Sequence, residues 1–174
     1  MCGRYGFIPG KDFWDRFEVV NKIELPESIM AAPGMMVPVL VAQSPKRVEM
    51  MKWGLGYYKS FNARSESLME KPSFRGLLKS NRCLVPATRF WEKPYFFQLK
   101  TKEIFTMAGL FENNTYTIVT TTANALVGKV HDRMPVILRR EDEDVWADNH
   151  NFNEAELHKL LKPYPEKELE IRSD

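Results

Sequence analysis

Apolar residues recur along the chain in short runs bounded by turn-forming residues, a strand pattern rather than a long-helix one. Met36 to Ala42 reads as a strand with Pro38 near its start. Gln43-Ser44-Pro45-Lys46 turns the chain, and Arg47 to Trp53 returns beside it as a hairpin. Arg82 to Pro86 is predicted to be a buried strand. Tyr95 to Leu99, Glu103 to Leu110 and Tyr116 to Thr122 follow, with joints short enough for antiparallel hairpins. Met134 to Leu138 is a last apolar strand.

Helical spacing is confined to short stretches. Lys11 to Val20 takes Asp12 as N-cap and puts Phe13, Trp14 and Phe17 on one face. Ser65 is expected to cap a helix over 66–71, which Pro72 interrupts, and Ser73 to Lys79 turns Phe74, Leu77 and Leu78 inward. Ala123 to Val127, Glu141 to Asn149 and Asn153 to Leu161 complete the helices, and residues 163–174 are expected to lie over the surface. Strands cluster mid-chain and their connections are too short for repeated βαβ crossovers. The expectation is an α+β single domain over 1–174: a largely antiparallel, barrel-like β-sheet flanked by short helices, its core over about 1–147 and an acidic helical part over 141–174.

The chain of 174 residues is long enough to bury a sizeable core. No apolar run approaches the ~20 residues of a membrane span, and no secretory signal opens the chain. Two cysteines, Cys2 and Cys83, make no disulfide framework, which points to a reducing cytoplasm, at the nucleoid if the partner is DNA. Cys83, in an apolar strand, reads as a core thiol. A monomer is expected. The net charge of +2 conceals an asymmetry: residues 1–140 hold 21 Lys and Arg against 12 Asp and Glu, and residues 141–174 hold 4 against 11. A basic body with an acidic tail is a mild pointer to a polyanionic partner.

Four stretches carry candidate chemistry: Cys2-Gly3-Arg4, Asn62-Ala63-Arg64-Ser65-Glu66, Phe90-Trp91-Glu92 and His131-Asp132-Arg133-Met134-Pro135. Removal of Met1 would put a free α-amine and a thiol on one residue, Cys2. With reference pKa values of about 7.7–8.0 and 8.5, part of the amine is neutral and nucleophilic near pH 7. Such a pair condenses with an aldehyde to an imine, and the thiol then closes a thiazolidine. Glu92 beside two aromatics would be desolvated and act as an acid near neutrality. His131 suits proton transfer, whereas His150 and His158 read as surface residues. Arg4, Arg64 and Arg133, each near a candidate reactive residue, suggest a phosphate or carboxylate cradle. Each feature taken singly also has an ordinary structural reading. No zinc-ligand spacing, phosphate-binding loop or dinucleotide motif occurs, so no metal or cofactor is expected.

Together with Ala32-Pro33-Gly34, Trp53-Gly54-Leu55, Arg82-Cys83-Leu84-Val85-Pro86-Ala87, Ala108-Gly109-Leu110 and Thr120-Thr121-Thr122-Ala123-Asn124, these motifs appear in the order found in the SOS-response-associated peptidase (SRAP) family. The chain resembles that family over residues 1 to about 147. The resemblance implies a sensor of abasic sites in single-stranded DNA that cross-links through its N-terminal cysteine and removes its own leader. Carried over, Cys2 is the nucleophile, Asn62 positions the reacting centre, Glu92 is the acid/base and His131 assists imine formation. Arg4, Arg64 and Arg133 would hold phosphates, and Trp53 and Tyr57 would wedge or stack against the kinked strand. Thr88, Arg89 and Lys93 depart from the family pattern, as does the short loop over 56–62. Arg89 and Lys93 are expected to add phosphate contacts. A peptidase acting on other proteins and a non-covalent single-strand-binding module are the competing readings.

Overall fold

The computed structural model describes residues 2–42, 46–56 and 60–174. In chain order its elements are β1 (Tyr5–Phe7), α1 (Phe13–Phe17), β2 (Ile29–Ala31), β3 (Met36–Ala42), β4 (Lys46–Trp53), β5 (Asn62–Arg64), α2 (Pro72–Ser80), β6 (Arg82–Ala87) and β7 (Arg89–Glu92). They continue with β8 (Tyr95–Leu99), β9 (Phe105–Glu112), β10 (Thr115–Thr122), β11 (Arg133–Pro135), β12 (Ile137–Leu138), α3 (Glu143–Ala147), α4 (Glu154–Leu160) and β13 (Leu169–Ser173). The class is α+β, as expected.

Strands β10, β4, β3, β6 and β9 pair in that order, and β9 pairs β10 again, so this part of the sheet closes on itself. Closure removes free edges from the ring. Its ladders are antiparallel except β10 with β4; β5 also lies parallel to β10. β9 and β10 pair over 109–112 and 115–118. Beyond that point β11 takes Thr120 to Thr122 and β12 takes Thr106 and Met107, so residues 133–138 enter as two strands where one was expected. Val136 bridges them: its N–H donates to the Val119 carbonyl and its own carbonyl accepts from Ala108. A second sheet runs β13-β8-β7-β1-β2.

The apolar runs explain these positions. All six residues of β6 are buried, and Trp53, Tyr5, Tyr116 and Trp146 are among the largest enclosed side chains. α2 packs Phe74 and Leu78 inward, with Leu77 half-buried. Pro72 starts this helix instead of interrupting one, because the first turn needs no N–H from it. Before it, only a 3-10 turn forms over Ser65–Ser67. α1 is shorter than the predicted 11–20, and the Asp12 side chain makes no capping bond. The predicted helix over 123–127 is a 3-10 turn at Val127–Lys129.

Three further expectations are corrected. β8 and β9 do not form a hairpin: β8 lies between β7 and β13 in the second sheet, so the joint at 100–102 carries the chain from one sheet to the other. The charged tail is not merely draped, since β13 pairs all of β8 and buries Leu169. The helix expected over 141–149 is a 3-10 turn at Arg140–Asp142 followed by the short α3, and Glu143 is buried. Its carboxylate accepts two bonds from Arg16 (2.8 and 3.1 Å) and one from Thr106. Among the described residues no helix is long and apolar enough to cross a membrane.

A candidate reactive site around Cys2

Cys2 leads into β1 and is fully buried. Its carbonyl accepts a 2.9 Å hydrogen bond from Asn62 Nδ2, and its Sγ lies 3.8 Å from the Arg4 carbonyl. Burial, and after it the negative charge of Glu92, pushes the thiol up to about 12. Asn62 opens β5, where the ladder Ile118↔Asn62 fixes its direction. Its Oδ1 is buried without a partner among the described residues. An acceptor left open beside the Cys2 backbone is costly unless something donates to it.

Glu92 ends β7. The register Tyr5↔Phe90 and the bond from Trp91 N–H to the Arg4 carbonyl (2.9 Å) hold this strand against the segment carrying Cys2. The Glu92 side chain is 7% exposed. Burial raises its pKa above the usual carboxylate value; nearby positive charge, His131 included, opposes that and Asp132 reinforces it. His131 follows the turn at Val127–Lys129. Its Nδ1 lies 3.0 Å from the Arg133 N–H and 2.9 Å from the Asp132 carboxylate. A neutral ring accepts from the backbone, and a protonated ring donates to Asp132, so both states are served in one position.

The fold therefore brings residues 2, 62, 92 and 131 near one another from four separate strands and loops: Asn62 donates to Cys2, the charge of Glu92 acts on the Cys2 thiol, and that of His131 acts on Glu92. The arrangement sets a desolvated carboxyl, an imidazole and an open amide acceptor in the neighbourhood of the buried Cys2.

The remaining predicted residues divide. Arg64 is exposed. Arg4 is part-exposed, with its guanidinium 4.9 Å from the Trp91 ring centre and 3.7 Å from the Asp174 carboxylate. Arg89 is half-buried against Trp91 and Phe96. Trp53 is corrected: it is 1% exposed, packs on Tyr5 and Tyr116 and spends its N–H on the Phe61 carbonyl (2.8 Å), so it offers no face to a base. Arg133 is corrected too. Its guanidinium binds both Glu66 oxygens (2.6 and 3.0 Å) and the Thr120 carbonyl (2.7 Å), which makes it a clamp between the two motif loops rather than an open phosphate ligand. Tyr57 lies outside the described residues. Sequence reasoning gave Glu66 and Asp132 no roles, although both stand inside motifs it singled out. Nothing local marked Asp174.

A family model described as SOS response associated peptidase (SRAP) matches residues 1–173. The chain belongs to this family. The SRAP match extends past the acidic segment, in keeping with the pairing of β13. Among curated relatives, a Bacillus subtilis protein named abasic site processing protein YoqW is 36% identical over 205 residues, 98% of this chain and 90% of that protein. The chicken abasic site processing protein HMCES is 30% identical over 173 residues, covering 70% of this chain and 52% of its own length. A solved structure from Bordetella bronchiseptica overlays at a TM-score of 0.83 with 20% identity over 99% of both chains, which bears on the fold alone. One from Bacteroides thetaiotaomicron gives 0.75 at 27% identity, over 83% of this chain and 76% of that one.

Proposed function

We propose that this SRAP chain recognises abasic sites in single-stranded DNA and captures them as a covalent thiazolidine on Cys2. The reading rests on one observation above the others: the buried Cys2 is bonded to Asn62 and lies within the field of the desolvated Glu92 carboxyl, which also feels His131. The names of the curated relatives supply the substrate class.

With Met1 attached, the Cys2 nitrogen is an amide. Hydrolysis of the Met1–Cys2 bond, adding one water, frees the amine; the same cluster is proposed to carry out that step. The abasic sugar opens from its hemiacetal to an aldehyde, and O4′ becomes a hydroxyl. The amine adds to the aldehyde carbon to give a carbinolamine. Glu92 donates a proton to the departing hydroxyl, water leaves and the nitrogen loses its proton, giving an imine. The Cys2 sulfur then adds to the imine carbon while the thiol proton passes to the nitrogen, and the five-membered ring closes. The condensation of the freed Cys2 with the aldehyde releases one water, and no oxidant or cofactor is consumed. Asn62 holds the Cys2 backbone still, and His131 relays protons. Arg4 and Arg64 hold flanking phosphates.

Incubation with a single-stranded oligonucleotide carrying one abasic site should give a product that survives denaturing electrophoresis. Its intact mass should equal protein lacking Met1 plus DNA minus one water. Cys2→Ala must abolish it. A product formed equally by that variant, or salt-sensitive binding with no covalent species, defeats the proposal.

A further inference from the structure

A cavity of about 380 Å³ adjoins the reactive cluster, lined by Gly3, Arg4, Trp91, Glu92 and Lys93. Its chemistry is that of an anion site. Arg4 lies over the Trp91 ring, and Arg89 approaches the same ring at 5.3 Å. The indole N–H of Trp91, itself only 3% exposed, is buried with no acceptor among the described residues. Lys93 is exposed. Among the described residues no carboxylate pairs with Arg89 or Lys93, whereas Arg4 has one: Asp174 at 3.7 Å. Asp174 is not there by drift. The register Ser173↔Tyr95 and a bond from the Asp174 N–H to the Pro94 carbonyl (3.2 Å) set the backbone of this residue beside the turn that carries Lys93. A carboxylate oxygen on a guanidinium occupies the position a phosphate oxygen would take.

We propose that this pocket is the subsite for a backbone phosphate flanking the lesion, and that Asp174 is an internal stand-in for that phosphate, which DNA must displace from Arg4. This rests on the reading above and adds to it a threshold. A strand must offer a phosphate that outcompetes a tethered carboxylate before its sugar reaches Cys2. Glu92 lines the same cavity, so the subsite adjoins the acid that drives dehydration.

The test is a double-mutant cycle read by fluorescence anisotropy with an unmodified, labelled oligothymidylate, titrated at several salt concentrations. Asp174→Asn should bind about two- to fivefold more tightly at low salt, the scale of an exposed ion pair. Its log affinity should fall with log salt at the wild-type slope, because Arg4 makes the same phosphate contact in both proteins once Asp174 is displaced. Arg4→Gln should bind more weakly, and Arg4→Gln/Asp174→Asn should match Arg4→Gln. Lys93→Gln should weaken binding and flatten the slope. Unchanged affinity in Asp174→Asn overturns the proposal. So does an equal gain in the Arg4→Gln background, which would mean only a long-range charge effect. Adduct formation by the unaltered protein with excess abasic DNA is followed alongside. Its failure counts against the reaction on Cys2, while the binding cycle alone decides the role of Asp174.

Discussion

Arg133 and Arg64 look interchangeable in sequence, each close to a motif residue, yet the structure places them differently: Arg133 is enclosed and hydrogen-bonded, Arg64 is exposed. Arg133→Gln removes two bonds to Glu66 and one to the Thr120 carbonyl. The Glu66 side chain is 52% exposed, so its carboxylate recovers water, and that half of the loss is small, under about 1 kcal/mol. The Thr120 carbonyl is enclosed and recovers nothing, which costs roughly 1.5–3 kcal/mol for a lost charged hydrogen bond. A total of about 2–3 kcal/mol lowers Tm by about 4–12 °C in a protein of this size. Arg64→Gln touches no such bond and should leave Tm in place, yet weaken single-strand binding and reduce its salt slope by about 0.7. Thermal unfolding followed by circular dichroism, paired with anisotropy at several salt concentrations, separates the two. If Arg133→Gln kept the wild-type Tm while flattening the salt slope, the clamp would be wrong and Arg133 would be a phosphate ligand after all.

Gly109→Ala should cost about 1–3 kcal/mol, because a Cβ there would sit 2.8 Å from Cys83 Sγ and 2.9 Å from Val85 Cγ2. Adding Cys83→Ala should restore part of the Tm, and a single variant as stable as wild type would refute the overpacking. Adduct formation should follow a bell in pH. It rises as the amine, near pH 8, loses its proton, and it falls as pH climbs past the raised pKa of Glu92, whose acid form is complete below that value. Glu92→Gln should be slow and show the rising limb alone; a wild-type profile without a falling limb would remove Glu92 as the acid. The hydrogen bonds from Arg133 hold the Glu66 carboxyl below its ordinary value. The clamp therefore contributes fully above the ordinary carboxylate range and is lost as pH falls through the lowered pKa. The stability difference between wild type and Glu66→Gln should narrow as pH falls below the ordinary carboxylate range and close once it passes the lowered pKa, and a difference that persists in acid would show another origin.

Much of the local structure was legible because strand formation depends on consecutive residues. The run from Met36 to Ala42 pairs antiparallel with its return to Trp53 as expected, the turn predicted between them falling on 43–45 outside the described residues, and Arg82 to Ala87 is buried throughout. The misread elements share a cause. Tyr95 to Leu99 and Glu103 to Leu110 look like hairpin arms at close range, but the partner that wins β8 is β13, seventy residues downstream. Trp53 was expected to stack on the strand because the family resemblance implies that role for it. Only the packing of Tyr5 and Tyr116 around it shows a core side chain.

The amino-acid sequence by itself determined which residue types stand where: an aminothiol precursor at position 2, a carboxyl behind two aromatics, an imidazole before an apolar strand, and the ordered motifs that mark SRAP. It also determined most strand positions, since alternation and turn chemistry are local. Tertiary structure alone decided that Asn62 bonds Cys2, that Glu92 is desolvated beside it, that Arg133 serves Glu66, and that Asp174 reaches Arg4. Those contacts join residues 60 to 170 positions apart. They are set by the register of two sheets and by the water those sheets exclude, which no stretch of neighbouring residues encodes.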